Sequence, residues 1–198
     1  MFLGEPPHSE ATEIAFEQDR QEDGYVHNYT RLWSWRPGLW DSFQALRDEL
    51  TGATLLTARE RAVLVAATVS QLGDSYCSFP WGTTLARVTD DETAGQILAN
   101  APAPALSERE ATLAEWARKV VRDPNATTSQ DVDRLREVGL GDREIFEATA
   151  WIAFRLAVST VNDALGASPD RQLADAAPQP VREAVTYGRA PAAQPSRS

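Results

Sequence analysis

At 198 residues, with 42% hydrophobic and 24% charged residues, the chain has the profile of a globular protein with one well-buried core. Its formal net charge of −10 argues against a nucleic-acid partner, which needs clustered Lys and Arg. There is no basic amphipathic stretch for a membrane surface and no apolar run near the roughly 20 residues of a membrane-spanning helix. The start, MFLGEPPHSE, lacks the basic and apolar regions of a signal peptide, and a lone cysteine forms no internal disulfide, so a cytoplasmic location is expected.

In chain order, residues 1–12 read as an arm and 13–22 as a short helix, together an N-terminal segment over 1–24. Asp23-Gly24 is turn chemistry, followed by Tyr25, His27 and Tyr29 in one loop. A helix is expected over 31–35, broken at Pro37-Gly38, and another over 39–50, with apolar residues at 39, 40, 43, 46 and 50. Residues 90–100 form a short helix with acidic residues at its start, where the helix dipole favours them. APAPA at 101–105 is a linker. Three helices follow, over 106–123, 127–139 and, capped by Gly141-Asp142, 143–166, the last apolar around most of its circumference and so central. From 167 the chain reads as a tail, with a short helix over 179–186 and the final ten residues disordered. No period-2 alternation occurs, and the fold class is all-α.

The pivotal stretch is 55–88. Thr57 and Glu60 form a capping-box pattern ahead of a small apolar helix that Gly73 ends. The sole cysteine, Cys77, lies at the junction with the next helix. Pro80 is incompatible with a helix interior, so that second helix is expected to begin near Ser78, leaving Cys77 at a helix N-terminus where the dipole favours a thiolate. Leu56-Thr57-Ala58-Arg59-Glu60-Arg61-Ala62 parallels Leu106-Ser107-Glu108-Arg109-Glu110-Ala111; two independent capping boxes and a helical repeat explain this equally well.

The succession LTARERAVLVAATVSQ, a Tyr-Cys junction, LSEREATLAEWARKVVRDP and VDRLREVGLGDREIFEATAWIAF…VNDALG resembles the carboxymuconolactone decarboxylase superfamily, nearest its alkylhydroperoxidase D-like, peroxidase-related branch. The resemblance covers roughly 25–166 and leaves 167–198 as a C-terminal tail. It implies an all-α bundle that assembles into a homo-oligomer with the site near a subunit interface. Peroxidase members carry a glutamate, a Cys-x-x-Cys and a histidine as a relay. Here the second cysteine is Cys77, but the first is Asp74, the histidine is Trp81 and the glutamate is Ala62. Glu60 lies about 200° around the helix from Ala62 and does not substitute for it.

With the relay lost, the expected function is that of a cofactor-free enzyme acting on an apolar small molecule by decarboxylation, isomerisation or cyclisation. The alternatives are a residual one-cysteine hydroperoxide reductase and a non-catalytic oligomeric binding or scaffold protein. Cys77, Asp74, Tyr76 and His27 are the candidate catalytic groups, each also readable as packing or capping. Trp81, Trp33, Tyr25 and Tyr29 are the candidate substrate-binding residues, since flat aromatic surfaces suit an apolar ligand. The two histidines are not paired and there is no second thiol, so no metal site is expected, and no Gly-rich loop implies a nucleotide cofactor.

Overall fold

Caps and breakers set the helix boundaries. The computed structural model describes residues 1–193, and among these there are eleven α-helices, one 3-10 turn and no strand. The first three are α1 (Glu10–Asp23), α2 (Asn28–Trp33) and α3 (Pro37–Gly52). The central group is α4 (Ala58–Leu72), α5 (Ser75–Val88), α6 (Asp91–Leu98) and α7 (Glu108–Arg122). Then come α8 (Ser129–Glu137), the long α9 (Asp142–Ala164), α10 (Arg171–Ala176) and α11 (Gln179–Ala184). No helix among the described residues is long and apolar enough to cross a membrane.

The core is built on α4, in which Val63, Leu64, Val65, Ala66 and Ala67 are fully buried, with α5, α6, α7 and α9 packed around it. Small side chains on every face of α4 allow this many neighbours to approach. The two parallel sequence segments open α4 and α7 with matching capping boxes on Thr57 and Ser107. They are also cross-linked: Arg59 donates to Glu110, and Arg109 donates to Glu60 and Glu144. Each capping glutamate therefore serves its own helix terminus and the arginine of the other helix.

Two glycines seat the C-terminal segment. A Cβ on Gly82 would lie 2.6 Å from Leu98 Cδ1 and 2.8 Å from Val181 Cγ1, and one on Gly95 would lie 2.8 Å from Pro180 Cβ. Only the absence of a side chain lets α11 rest directly on α5 and α6, with Val181 fully buried. Beyond α11 the chain returns to the start of α5. Ser75 Oγ donates to Arg189 O at 2.8 Å and accepts from Arg189 N at 3.0 Å, and the Ser78 and Tyr187 hydroxyls pair at 2.9 Å. Of the ten residues expected to be disordered, 189 makes these bonds, Ala192 N donates to Pro169 O, and 194–198 lie outside the described residues.

The start of α5 differs from expectation. It begins at Ser75, not near Ser78, because Asp74 is the N-cap, its Oδ1 accepting from Cys77 N at 2.9 Å. Pro80 then sits inside the helix. Its missing N–H leaves the carbonyl of Tyr76 without the usual helical donor, and the helix continues beyond it to Val88.

Candidate active site at the α4–α5 junction

Gly73 ends α4 in the left-handed conformation at φ 83°, and Asp74 N returns to Val69 O at 3.0 Å, so the chain reverses within two residues. This turn places Asp74, fully buried, at the head of α5 and Cys77 in its first turn. Cys77 faces α9. The Arg155 guanidinium donates from Nη2 to Cys77 Sγ at 2.7 Å, and Ser159 Oγ lies 4.0 Å from the same sulfur. One helical turn beyond Cys77, Trp81 lies beneath Arg155, whose guanidinium carbon is 5.8 Å from the indole ring and 5.9 Å from the Phe154 ring. Trp81 meets Trp151 edge to face at 6.4 Å, and Trp151 meets Phe154 at 5.8 Å.

The electrostatics of this cluster are unusual. Arg155 is only 8% exposed, makes no ion pair among the described residues, and leaves its Nε without a partner. Asp74 Oδ2 is likewise buried and unpartnered. Buried charges are normally paired, so an arginine set on a thiol is a specific arrangement. Burial pushes the Cys77 thiol well above its usual range, the Asp74 carboxylate adds to that, and Arg155 pulls the other way. The helix-terminus argument for a thiolate is therefore overridden by desolvation, and Arg155 is the group that offsets it.

Tyr76 and His27, the other two candidate catalytic groups, belong to a second cluster on a different face of α5. The Tyr76 hydroxyl donates to Asp170 Oδ2 and accepts from Tyr29 N. His27 Nδ1 lies 3.4 Å from Asp170 Oδ2 and its Nε2 lies 2.8 Å from Asp23 Oδ2. Burial works against the imidazolium, but the two carboxylates outweigh it and raise the His27 pKa from 6.5 to about 9. The Tyr25 ring packs against His27 with centres 4.5 Å apart and planes tilted by 54°, and burial beside Asp170 and Asp23 pushes its phenol up as well. Tyr29 touches Tyr76 edge to face at 6.0 Å and Trp40 at 5.6 Å. Trp33 donates from Nε1 to Asn162 Oδ1 at 2.9 Å and packs on Trp40 and Phe43. The structure thus brings Cys77, Asp74 and Trp81 together, and separately His27, Tyr76, Tyr25 and Tyr29, with Trp33 walling a cleft against α3.

Arg155, Ser159 and Asp170 were not anticipated. Arg155 had a legible signal: it is the only charged residue between Ala148 and Asn162, in an otherwise apolar helix. Asp170 had none, because it acts from 94 positions away on Tyr76.

No protein-family profile matches the chain, and no curated protein matches it. Solved structures do. The chain is similar to a peroxidase-related protein of Silicibacter sp. TM1040 (TM-score 0.75, 22% identity, 87% of this chain and 93% of that one). It is similar to a peroxidase-related protein of Ralstonia eutropha JMP134, described as an alkylhydroperoxidase AhpD core (TM-score 0.74, 23% identity, the same coverages). It is also similar to the debrominase Bmp8, with TM-score 0.73, 14% identity and coverage of 93% of this chain and 98% of that one. A cysteine-to-alanine variant of that debrominase has been solved with 2,3,4-tribromopyrrole. The likeness in all three is one of fold, and the chain therefore has the all-α, alkylhydroperoxidase D-like helical fold.

Proposed function

We propose that the protein is a cofactor-free enzyme acting on an apolar, aromatic small molecule at the Cys77 junction. The observation that carries the reading is Arg155, a buried guanidinium without a carboxylate partner among the described residues, held against the only thiol of the chain. A fixed positive charge in a buried, aromatic-walled site stabilises negative charge that develops on a substrate or on sulfur, and there it is worth far more than in water. In this reading Cys77 is the acid–base or nucleophilic group, Arg155 its charge partner, and Trp81, Trp151 and Phe154 the apolar walls. Asp74 holds the head of α5 in place. Tyr76 and His27 act through Asp170 to fix the loop that precedes α2.

The debrominase of similar fold was solved with a flat halogenated pyrrole, a ligand of the flat, apolar kind this reading calls for; it adds nothing to the one-cysteine hydroperoxide-reductase alternative. This reading places the ligand on Trp81. The proposed assembly is a homo-oligomer. Phe146, 72% exposed, together with Ala153 and Ala157 gives α9 an apolar outer face, and Leu39 and Leu46 do the same for α3. A second copy of the chain is the proposed cover.

A thermal-shift and turnover screen of aromatic acids, polyenes and halogenated pyrroles tests the reading. Hits are expected to lose their shift in Trp81→His and their turnover in Cys77→Ala and Arg155→Met, with circular dichroism unchanged. If no compound depends on any of these three residues, the enzyme reading fails and a binding or scaffold role replaces it.

A further inference from the structure

A cavity of about 600 Å³ lies away from Cys77, between α1 and α3 with α2 as its floor. Its chemistry is different from that of the junction. Tyr29, Trp33 and Trp40 line it as a corner of three rings, with Trp33 and Trp40 centred 4.8 Å apart and tilted by 44°. Tyr29 and Trp40 are 5.6 Å apart and tilted by 52°. Rings set at such angles present π faces from more than one direction, which is the arrangement that attracts a cation.

The charges agree. Asp19 and Glu22 line the cavity from α1, and Asp41 lines it from α3. Asp19 is only 8% exposed; its Oδ2 accepts from His27 N at 2.9 Å, and its Oδ1 has no partner among the described residues. The floor adds two nearly buried hydroxyl residues, Thr30, 7% exposed, and Ser34, 5% exposed; Thr30 hydrogen-bonds Tyr29 through its side chain, and Ser34 Oγ makes no side-chain hydrogen bond among the described residues. A nearly buried carboxylate oxygen and two hydroxyls left with spare acceptor capacity call for a ligand that donates. The one cation in the lining, Arg47, spends its Nε and Nη2 on Asp48.

We infer that the cleft between α1 and α3 binds a small organic cation, a primary or secondary ammonium carried on an aryl or alkyl body. The ammonium N–H groups donate to Asp19 Oδ1 and the Thr30 and Ser34 hydroxyls, while the corner of Tyr29, Trp33 and Trp40 takes the charge and the apolar body. Glu22 and Asp41, both exposed, give the mouth its negative field. This site is independent of the reading at Cys77 and stands or falls separately from it.

Titration calorimetry on the full chain with three probes of one shape decides the matter: phenethylammonium, neutral 2-phenylethanol and anionic 3-phenylpropionate. Phenethylammonium is expected to bind about tenfold more tightly than either, and to weaken as salt is raised. Asp19→Asn keeps an acceptor for His27 N and removes only the charge; it is expected to weaken the ammonium about tenfold and leave the alcohol unchanged. Trp40→Leu is expected to weaken the ammonium several-fold, with the exposed Asp41→Asn as a variant that keeps the fold of α3 intact and weakens the ammonium about twofold. Equal binding of the alcohol, preference for the carboxylate, no binding of the ammonium at millimolar concentration, or binding indifferent to Asp19→Asn would each overturn the inference.

Discussion

His27 provides a sharp quantitative test of the electrostatics. Its ring is nearly buried between Asp170 and Asp23, and its pKa is raised from 6.5 to about 9. A group whose pKa is raised on folding stabilises the native state fully below its unfolded pKa, and that contribution disappears as pH rises through the folded one. The rise corresponds to at most about 3 kcal/mol. Asp23 is half exposed, so its share is screened by solvent, and about 1–2 kcal/mol is the expected contribution. Replacing His27 by Gln keeps a neutral hydrogen-bonding side chain and removes the proton site. Urea unfolding of both proteins should therefore give a stability gap that is largest below about pH 6.5 and closes between there and about pH 9. A gap that stays constant across that window would show that folding leaves the imidazole pKa unchanged, one that widens as pH rises would show an imidazole held neutral, and either would refute the reasoning.

Other expectations follow from neighbouring features. Tyr76→Phe leaves the buried Asp170 short of a donor and should cost about 1–3 kcal/mol by chemical denaturation. Gly95→Ala drives a methyl against Pro180 and should lower stability by about 1–3 kcal/mol, unlike the same change in an exposed helix. Asp163 has its pKa raised to about 7 by burial and by Asp74, against the pull of Arg189, so its native carboxylate is penalised increasingly as pH rises from its unfolded value through about 7. Asp163→Asn should therefore stabilise by about 1 kcal/mol above neutrality and have no effect in acid, as read by melting temperature. Light scattering should give a mass above that of one chain, and a monomer at micromolar concentration would reject the proposed assembly.

Much of the fold was legible because helices announce their own ends. Thr57 with Glu60 and Ser107 with Glu110 mark helix starts by local chemistry, and Gly73 marks a stop, so the order and type of elements follow from short windows. The misplaced start of α5 has a specific cause. Pro80 lacks a helical donor but does not bar the helix, because an aspartate already buried by α4 caps it six residues earlier. The candidate site was half legible. Cys77, Asp74 and Trp81 are close in sequence and stay close in space. What completes them comes from α9, and only the fold brings Arg155 and Ser159 onto the sulfur. The same holds for Tyr76, whose partner Asp170 belongs to a segment that read as tail.

The crossed contacts between Arg59 and Glu110 and between Arg109 and Glu60 join the first turns of α4 and α7 into one cooperative unit. Fraying of either terminus withdraws a carboxylate from the opposite arginine, and Arg109 also holds Glu144 in the first turn of α9. Amide hydrogens in these three helix starts should therefore exchange together, at a common opening free energy, while the opposite end of α4, which carries the Gly73–Asp74 turn, lies outside the clasp. The bundle has two separate fastenings: the crossed arginines at one end of α4, and at the thiol-bearing end Arg155 on Cys77 with the returning 187–189 segment on Ser75 and Ser78.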